Sequence, residues 1–330
     1  MKRPLLNWGL LSTARINRAI IPPVRASKRS RLLAVGSRTR ESAGEYAERW
    51  NIPRAHGSYE ALLDDPEIDV IYNSLPNHLH AEWTIRALRA GKHVLCEKPI
   101  ALRMRDVDAI AAAAKETGRI VAEAFMYRHH PVTLKVKEMV DGGEIGQLQY
   151  VRGSFSYTLT RESYRAKPEM GGGSLWDVGC YPISYARMLT GEEPVEVFGR
   201  QVIGEGGIDV TFVGEMRFPG GVLAQFDSGF HSPLRVQMEA AGSDGWLKVE
   251  NPYKPGKGEH ILFSRGDETQ RIRVPGRELY IGEVEDLEDA VLKGAAPRIT
   301  LEDSRGNIAV IQALMESART GRPVNVERRE

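Results

Sequence analysis

Lys98 closes the apolar run His93-Val94-Leu95-Cys96-Glu97 and is followed at once by Pro99. A cation at the end of a buried parallel strand faces the crevice in which open α/β sheets hold their ligands. Asp177 and Tyr181 form a second group able to handle protons. They are spaced i,i+4, so on a helix they share one face. Three glycines, Gly171, Gly172 and Gly173, precede them and remove side chains where a ligand must come close. Pro182 would clash with the Val178 carbonyl, so this helix is expected to kink beside the pair. A plainer role stays open, with Asp177 as a charge near a helix start and Tyr181 as an interface aromatic. Cys96 and Cys180 neighbour these groups in sequence; free cysteines are usually buried and inert, and no chemistry is assigned to them.

Two further stretches bear on a dinucleotide. After the first strand-like run, a phosphate-binding fingerprint would place glycines at 12, 14 and 17, where Ser12, Ala14 and Asn17 stand. The fingerprint is therefore weak, yet Ser12 and Ala14 are small enough for a backbone to approach a pyrophosphate. The helix that follows offers free N–H groups. At the end of the second run the chain reads Gly36-Ser37-Arg38-Thr39-Arg40, with no acid before Glu41. An NAD site usually carries an acid there for the ribose hydroxyls, whereas a hydroxyl beside guanidinium groups suits a 2′-phosphate. NADP(H) is expected over NAD(H), although a solvated basic turn would look the same.

These residues need a frame to hold them. Leu6 to Leu11, Leu32 to Gly36, Asp69 to Asn73, His93 to Cys96 and Ile120 to Glu123 read as strands. Helical patterns alternate with them, from about Arg15 to the Pro22-Pro23 pair, Ser42 to Trp50, Leu79 to Arg89 and Arg105 to Lys115. Continuous apolar runs indicate strands covered on both faces, and repeated β-α units imply a parallel, doubly wound sheet over 1–125. Beyond 125 the order changes. Helices are expected at His130 to Val140 and Ser174 to Leu189. Strands follow at Asp209 to Phe218, Gly221 to Phe230 and Val236 to Ala241, with closing helices at Val284 to Lys293 and Leu301 to Thr320. The expectation for 126–330 is an α+β domain with an open, mainly antiparallel sheet that binds substrate and mediates oligomerisation. Val222, Ala224 and Phe226 share one face at period two, and an open sheet with one face on helices calls for cover on the other. A homodimer or homotetramer is expected.

Composition narrows the partners. The 330 residues carry 45 Lys plus Arg against 44 Asp plus Glu, a formal net charge of +1. That balance argues against a nucleic-acid or anionic-membrane binder. Two cysteines exclude a disulfide framework, and His78/His80 and His129/His130 lack ligands in register, so no metal site is expected. Lys2 and Arg3 before an apolar stretch look superficially like a signal peptide, but Asn7 interrupts it. No run approaches the roughly 18 apolar residues of a membrane helix. The chain reads as cytoplasmic.

The string Ala90-Gly91-Lys92-His93-Val94-Leu95-Cys96-Glu97-Lys98-Pro99-Ile100, with Asn77-His78-Leu79-His80 upstream, resembles the Gfo/Idh/MocA oxidoreductase family, whose hallmark is Glu-Lys-Pro. Two further strings extend the resemblance over essentially the whole chain: Glu123 to Pro131, and Gly171 to Pro182. Both look most like the dihydrodiol and NADP-dependent xylose dehydrogenase branches, with sugar 3-ketoreductases close behind. The resemblance implies a Rossmann domain and hydride transfer between nicotinamide and a secondary alcohol or carbonyl of a sugar or cyclic diol. It implies that Lys98 contacts both the reacting hydroxyl and the cofactor, and that Tyr181 is the acid/base, its phenolate favoured by the Lys98 ammonium. Asp177 would orient the substrate hydroxyl or hold Lys98.

Cofactor contacts are expected from Ser12, Thr13, Ala14, Arg15, Ile16, Ser37, Arg38, Leu75, Asn77, His80, Glu97 and Lys98. Arg165 is added from Tyr164-Arg165, where the family often has Trp-Arg. His78 is expected to be structural. Tyr127, Arg128 and His129 would line a sugar pocket or simply pack. The family also contains NAD-dependent glycosidases working through a transient ketone, and a non-catalytic dinucleotide-binding regulator; Lys98, Asp177 and Tyr181 together argue against the regulator.

Overall fold

A computed structural model describes residues 5–160 and 163–327, so the Lys2-Arg3 start lies outside the described residues. The chain forms two units. The first takes the chain up to Met126 together with Tyr280–Arg305; the second takes Tyr127–Leu279 and the chain from Gly306 onward.

In the first unit, β1 (Leu6–Leu11), β2 (Ser30–Gly36), β3 (Arg54–His56), β4 (Val70–Asn73), β5 (His93–Glu97) and β6 (Val121–Ala124) make a six-stranded sheet. Its order is β3-β2-β1-β4-β5-β6 and every pairing is parallel. The order reverses between β1 and β4, whose ends meet in register at Leu11 and Asn73. A crevice for ligands lies beyond such a reversal. Helices α1 (Asn17–Ala26), α2 (Arg40–Trp50), α3 (Tyr59–Leu63), α4 (His80–Arg89) and α5 (Met104–Thr117) connect the strands. One expectation is corrected here: α1 does not stop at Pro22-Pro23 but runs through both to Ala26. An interior proline costs about 3 kcal/mol, while each fully buried large aliphatic side chain contributes about 1.5–3 kcal/mol. Ile20, Ile21 and Val24 are buried, enough to offset the prolines.

The second unit holds α6 (Pro131–Asp141), β7 (Leu148–Ser156), α7 (Cys180–Thr190), β8 (Glu196–Ile203), β9 (Asp209–Arg217) and β10 (Leu223–Gly229). It continues with β11 (Arg235–Gly242), β12 (Gly245–Val249), β13 (Gly258–Arg265), β14 (Glu268–Pro275) and β15 (Val324–Asn325). Nine strands form one sheet in the order β14-β13-β12-β11-β7-β10-β9-β8-β15. Only β7 with β10 is parallel. The sheet is therefore mainly antiparallel, as expected, but its central strand β7 was not anticipated. Gly153 in its middle is where α7 comes closest: a Cβ there would lie 2.5 Å from Pro182 Cβ. Val222, Ala224 and Phe226 do share a buried face, while Val213 and Leu223, 49% and 51% exposed, point to the opposite side.

Two helices close the chain at α8 (Ile281–Lys293) and α9 (Leu301–Thr320), where they were expected. The expected division into 1–125 and 126–330 is corrected in one respect. Val284 and Leu287 of α8 belong to the core of the first unit with Trp8, Ile21, Val24 and Leu95. The buried Glu288 carboxylate accepts hydrogen bonds from Ser27 and Ser30 and pairs with Arg29 at 2.8 Å. Amphipathic spacing shows that a helix has an apolar face, not which core receives it.

Candidate functional site

In the first unit the expected cofactor residues gather at the C-terminal ends of β1, β2, β4 and β5. Ser12, just past β1, has φ +133°, a conformation that favours glycine. Its side chain compensates through a buried polar network. Ala14 N–H donates to Ser12 Oγ at 3.1 Å, and that oxygen lies 2.9 Å from Ser74 Oγ. Ser74 Oγ donates to Asn17 Oδ1 at 2.6 Å, and Asn17 Nδ2 donates to the Ser12 carbonyl at 2.8 Å. Two of the missing fingerprint glycines are thus replaced by hydrogen-bonding residues that stiffen the same turn. No side chain caps the start of α1 and its first turn holds no acid; Asn17 N–H and Ala19 N–H instead donate to the Ala14 and Ile16 carbonyls at 3.1 and 2.8 Å. Arg15 is exposed on this turn beside Thr13.

At the end of β2, Ser37 is buried and donates to Ser42 Oγ at 3.1 Å, and Thr39 caps α2 by accepting from Ser42 N–H. Arg38 is exposed, and no carboxylate pairs with it among the described residues. This donor set fits a phosphate better than ribose hydroxyls. Arg15, Arg18 and Arg49 line a cavity of about 370 Å³ that reaches from Thr13 to Ser42.

His80 is fully buried, with Nδ1 2.7 Å from the Pro99 carbonyl and Nε2 2.6 Å from the Leu75 carbonyl. Burial pushes its pKa down to about 4 in spite of both carbonyls. Near neutral pH it holds one ring proton and can donate to only one of them. The ring therefore braces the segment after β4 against the one after β5. Asn77, also expected at the cofactor, is buried at the start of a short 3₁₀ turn next to it. Glu97 accepts a hydrogen bond from the buried Tyr72 hydroxyl, which fixes the first residue of Glu-Lys-Pro. Lys98 follows, half-buried, and Ile100 N–H beyond it donates to buried Glu123 at 2.9 Å. Cys96 is buried, and burial raises its thiol pKa, in keeping with an inert role.

The second unit positions Asp177 and Tyr181. The expected kink is a turn of π-helix, Leu175–Gly179, which leads directly into α7. A wider turn is one way for a helix to adapt to Pro182, whose N–H is missing. Asp177 is clamped on both carboxylate oxygens: Tyr157 Oη donates at 2.7 Å and Arg165 Nε at 2.8 Å. Burial disfavours the Arg165 charge, but Asp177 more than offsets it and keeps the guanidinium firmly protonated. Arg165, expected at the cofactor, is thus joined to the turn that carries Asp177 and also stacks on Tyr164. The glycines ahead of this turn make room for the chain itself. A Cβ at Gly172 would lie 2.4 Å from the Arg165 carbonyl, and one at Gly173 2.2 Å from Asp209 Oδ1.

Tyr181 is 5% exposed, and its ring packs among Tyr127, Phe155 and Tyr253 at centroid distances of 5.3–5.6 Å. Tyr127 is fully buried, donates to the Tyr181 carbonyl at 3.2 Å and stacks on Tyr185, so it packs. Arg128 donates to Ser184. Sequence reading missed Asn17, Ser74, Tyr157 and Asp209. Each acts through a partner far away in sequence or from a strand that was not anticipated.

Residues 6–125 match the oxidoreductase family with an NAD-binding Rossmann fold, Gfo/Idh/MocA, and residues 133–248 match the Gfo/Idh/MocA C-terminal domain. The chain belongs to this family. It is 34% identical over 326 residues to D-xylose 1-dehydrogenase (NADP(+)) 2 of Haloferax volcanii, covering 97% of this chain and 99% of that one. Among solved structures it is similar to an aldose–aldose oxidoreductase from Caulobacter crescentus complexed with glycerol, at 29% identity and a TM-score of 0.90, over 98% and 100% of the two chains. It is equally similar to a 3-ketoreductase from Actinomadura kijaniata complexed with NADP and TDP-benzene, at 30% identity and a TM-score of 0.90, over 95% and 98%. As a Gfo/Idh/MocA protein it is an NAD(P)-dependent oxidoreductase of the sugar- and diol-acting kind. Among the described residues no helix is long and apolar enough to cross a membrane.

Proposed function

We propose that this Gfo/Idh/MocA protein prefers NADP(H) and interconverts a secondary alcohol and carbonyl of an aldose or cyclic diol. The observation that carries the reading is the set of side chains beyond β2 and β5. Ser37 and unpaired Arg38 stand where an NAD enzyme keeps an acid, and Lys98 follows β5. The relatives support it: one is named an NADP-dependent xylose dehydrogenase, another, from Xenopus laevis, a trans-1,2-dihydrobenzene-1,2-diol dehydrogenase.

The nicotinamide, when bound, supplies a hydride acceptor or donor. The proposal gives the remaining work to this chain's residues. Ser12 to Ile16, the turn that leads into α1, receive the pyrophosphate, and Arg38 with Arg15 holds the 2′-phosphate. Leu75 and Asn77 keep the nicotinamide in place. Lys98 steadies the reacting oxygen, and Tyr181 Oη takes the hydroxyl proton during oxidation. Asp177, bound by Tyr157 and Arg165, holds its turn while Tyr181 does so.

The test is NADP⁺ reduction over aldoses, inositols and trans-dihydrodiols, followed by Tyr181→Phe and Lys98→Ala on the best substrate. Tyr181→Phe should lower kcat by roughly 10²–10⁴-fold with cofactor affinity kept, the usual worth of general acid–base catalysis. The two substitutions should be strongly non-additive, since residues serving one proton transfer act as a unit. Full activity in Tyr181→Phe would place the base elsewhere.

A further inference from the structure

Asp209 opens β9, is nine-tenths buried and takes no part in the chemistry assigned above. Its Oδ2 accepts two hydrogen bonds from the entry of the π turn, from Ser174 Oγ at 2.6 Å and from Leu175 N–H at 2.8 Å. Ser174 Oγ also lies 3.0 Å from Ser228 Oγ on β10. Gly173, at φ +117°, leaves the space its carboxylate fills. The Gly173 carbonyl in turn accepts from Asp177 N–H at 3.1 Å. One carboxylate therefore sets where the turn begins, two residues before Asp177 and six before Tyr181.

We propose that Asp209 is a positioning residue: its carboxylate holds the start of the π turn so that Asp177 and Tyr181 are presented in their working orientation. This rests on the reading of Tyr181 as the acid–base group. The geometry favours a positioning role over a mere fold contact because both bonds land on the one turn that carries the proton-transfer residues. A bond lost at a helix entry lets the first turn shift or fray. A displacement of about 1 Å in a reacting group is enough to cost on the order of 10²-fold in rate.

The environment of Asp209 also gives the role a signature. Its partners are the Ser174 hydroxyl, which also lies 3.0 Å from the Ser228 hydroxyl, and the N–H groups of Ser174, Leu175 and Asp209 itself, and among the described residues no charged side chain pairs with it. Burial raises its pKa to about 6, against hydrogen bonds that lower it. Below that pH the carboxylate is neutralised and both bonds weaken, so alignment and turnover should fall together.

The experiment compares Asp209→Ala and Asp209→Asn in the full-length enzyme, with NADP⁺ and the fastest alcohol of the substrate screen. Amide hydrogen exchange across 174–181 is followed in parallel and needs no substrate. Asp209→Ala should lower kcat by roughly 10–100-fold, with KM and cofactor Kd within about threefold, and should speed exchange at Leu175 and Asp177. Asp209→Asn keeps an acceptor oxygen, so it should retain more turnover than the alanine variant but lose the wild-type step in kcat near pH 6. In a Tyr181→Phe background, Asp209→Ala should add little further loss. Unchanged kcat in folded Asp209→Ala would overturn the proposal, as would a pH step that persists in Asp209→Asn; either leaves the Tyr181 assignment standing. Full activity of Tyr181→Phe alone would instead remove that assignment, whatever Asp209 does. Should Asp209→Ala fail to fold, the pH profile and exchange rates of Asp209→Asn decide the matter.

Discussion

At the scale of single residues, cofactor choice turns on Arg38. An exposed guanidinium with no carboxylate partner contributes little to the fold, so its removal should act on binding alone. Arg38→Ala should weaken NADP(H) by about 1.5–3 kcal/mol and leave NAD(H) nearly unchanged, the range for hydrogen bonds to a charged group. Titration of both cofactors against both proteins checks this, and tighter NAD(H) binding by the wild type would end the NADP assignment. Asp209 also predicts how stability depends on pH. Its pKa is raised from 3.8 to about 6 on folding, so the folded state keeps its proton longer than the unfolded one. Its contribution is fully favourable below 3.8 and is lost as pH rises through about 6. By neutral pH it costs roughly 3 kcal/mol relative to acid, at about 1.4 kcal/mol for each tenfold difference in proton affinity between the two states. Urea unfolding of Asp209→Asn and wild type from acid to neutral pH should show the variant gaining on the wild type as pH rises. Lys98, Asp177 and Tyr181 could be proposed from the sequence because their strings are local. Asn17, Ser74 and Asp209 were not, because their partners lie 35 to 62 residues away.

Elements were legible where their signal was internal to them. Five of the six strands of the first unit, β1, β2, β4, β5 and β6, are largely buried apolar runs and were expected to within a residue or two, whereas the short, half-buried edge strand β3 was not. The strand β7 was not, because Gln149, Arg152 and Gly153 break its pattern; Gly153 serves α7 rather than the strand. Tyr157 lies one residue beyond β7, so the partner that holds Asp177 went unseen with it. The prolines in α1 misled in the opposite direction, since tertiary burial decided what local propensity opposed. α8 carries the prediction proper to this scale. Leu287→Ala removes a fully buried side chain and should destabilise the first unit by about 2–5 kcal/mol. A drop in thermal midpoint that added NADP(H) largely reverses would agree, since ligand binding to the folded state restores stability by mass action. No change in midpoint would mean that α8 is not part of that core.

For the molecule as a whole, the outward face of the nine-stranded sheet bears on assembly. Val202, Val213 and Leu223, from β8, β9 and β10, share one face by the strand register and are all about half exposed or more. Exposed apolar side chains gathered on one face of a sheet mark an interaction surface more often than scattered ones do. A homodimer through this face is our expectation, and Val213→Glu with Leu223→Glu should move sedimentation equilibrium toward a single chain without loss of cofactor binding. A wild type that sediments as one chain at all concentrations would remove the expectation.

The division of the chain bears on the order in which it can fold during synthesis. The first unit looks like an N-terminal module, yet α8 fills part of its core with Val284 and Leu287 and is joined to it through Glu288. Between Met126 and Tyr280 the ribosome must make most of the second unit, which at about 5–20 residues per second takes on the order of 10–30 s. Until then the core that α8 covers stays open to solvent. A nascent chain halted before residue 280 should resist protease poorly in its first 126 residues, and one that has released Arg305 should resist well. A library built by cutting at the apparent domain boundary would inherit the same defect.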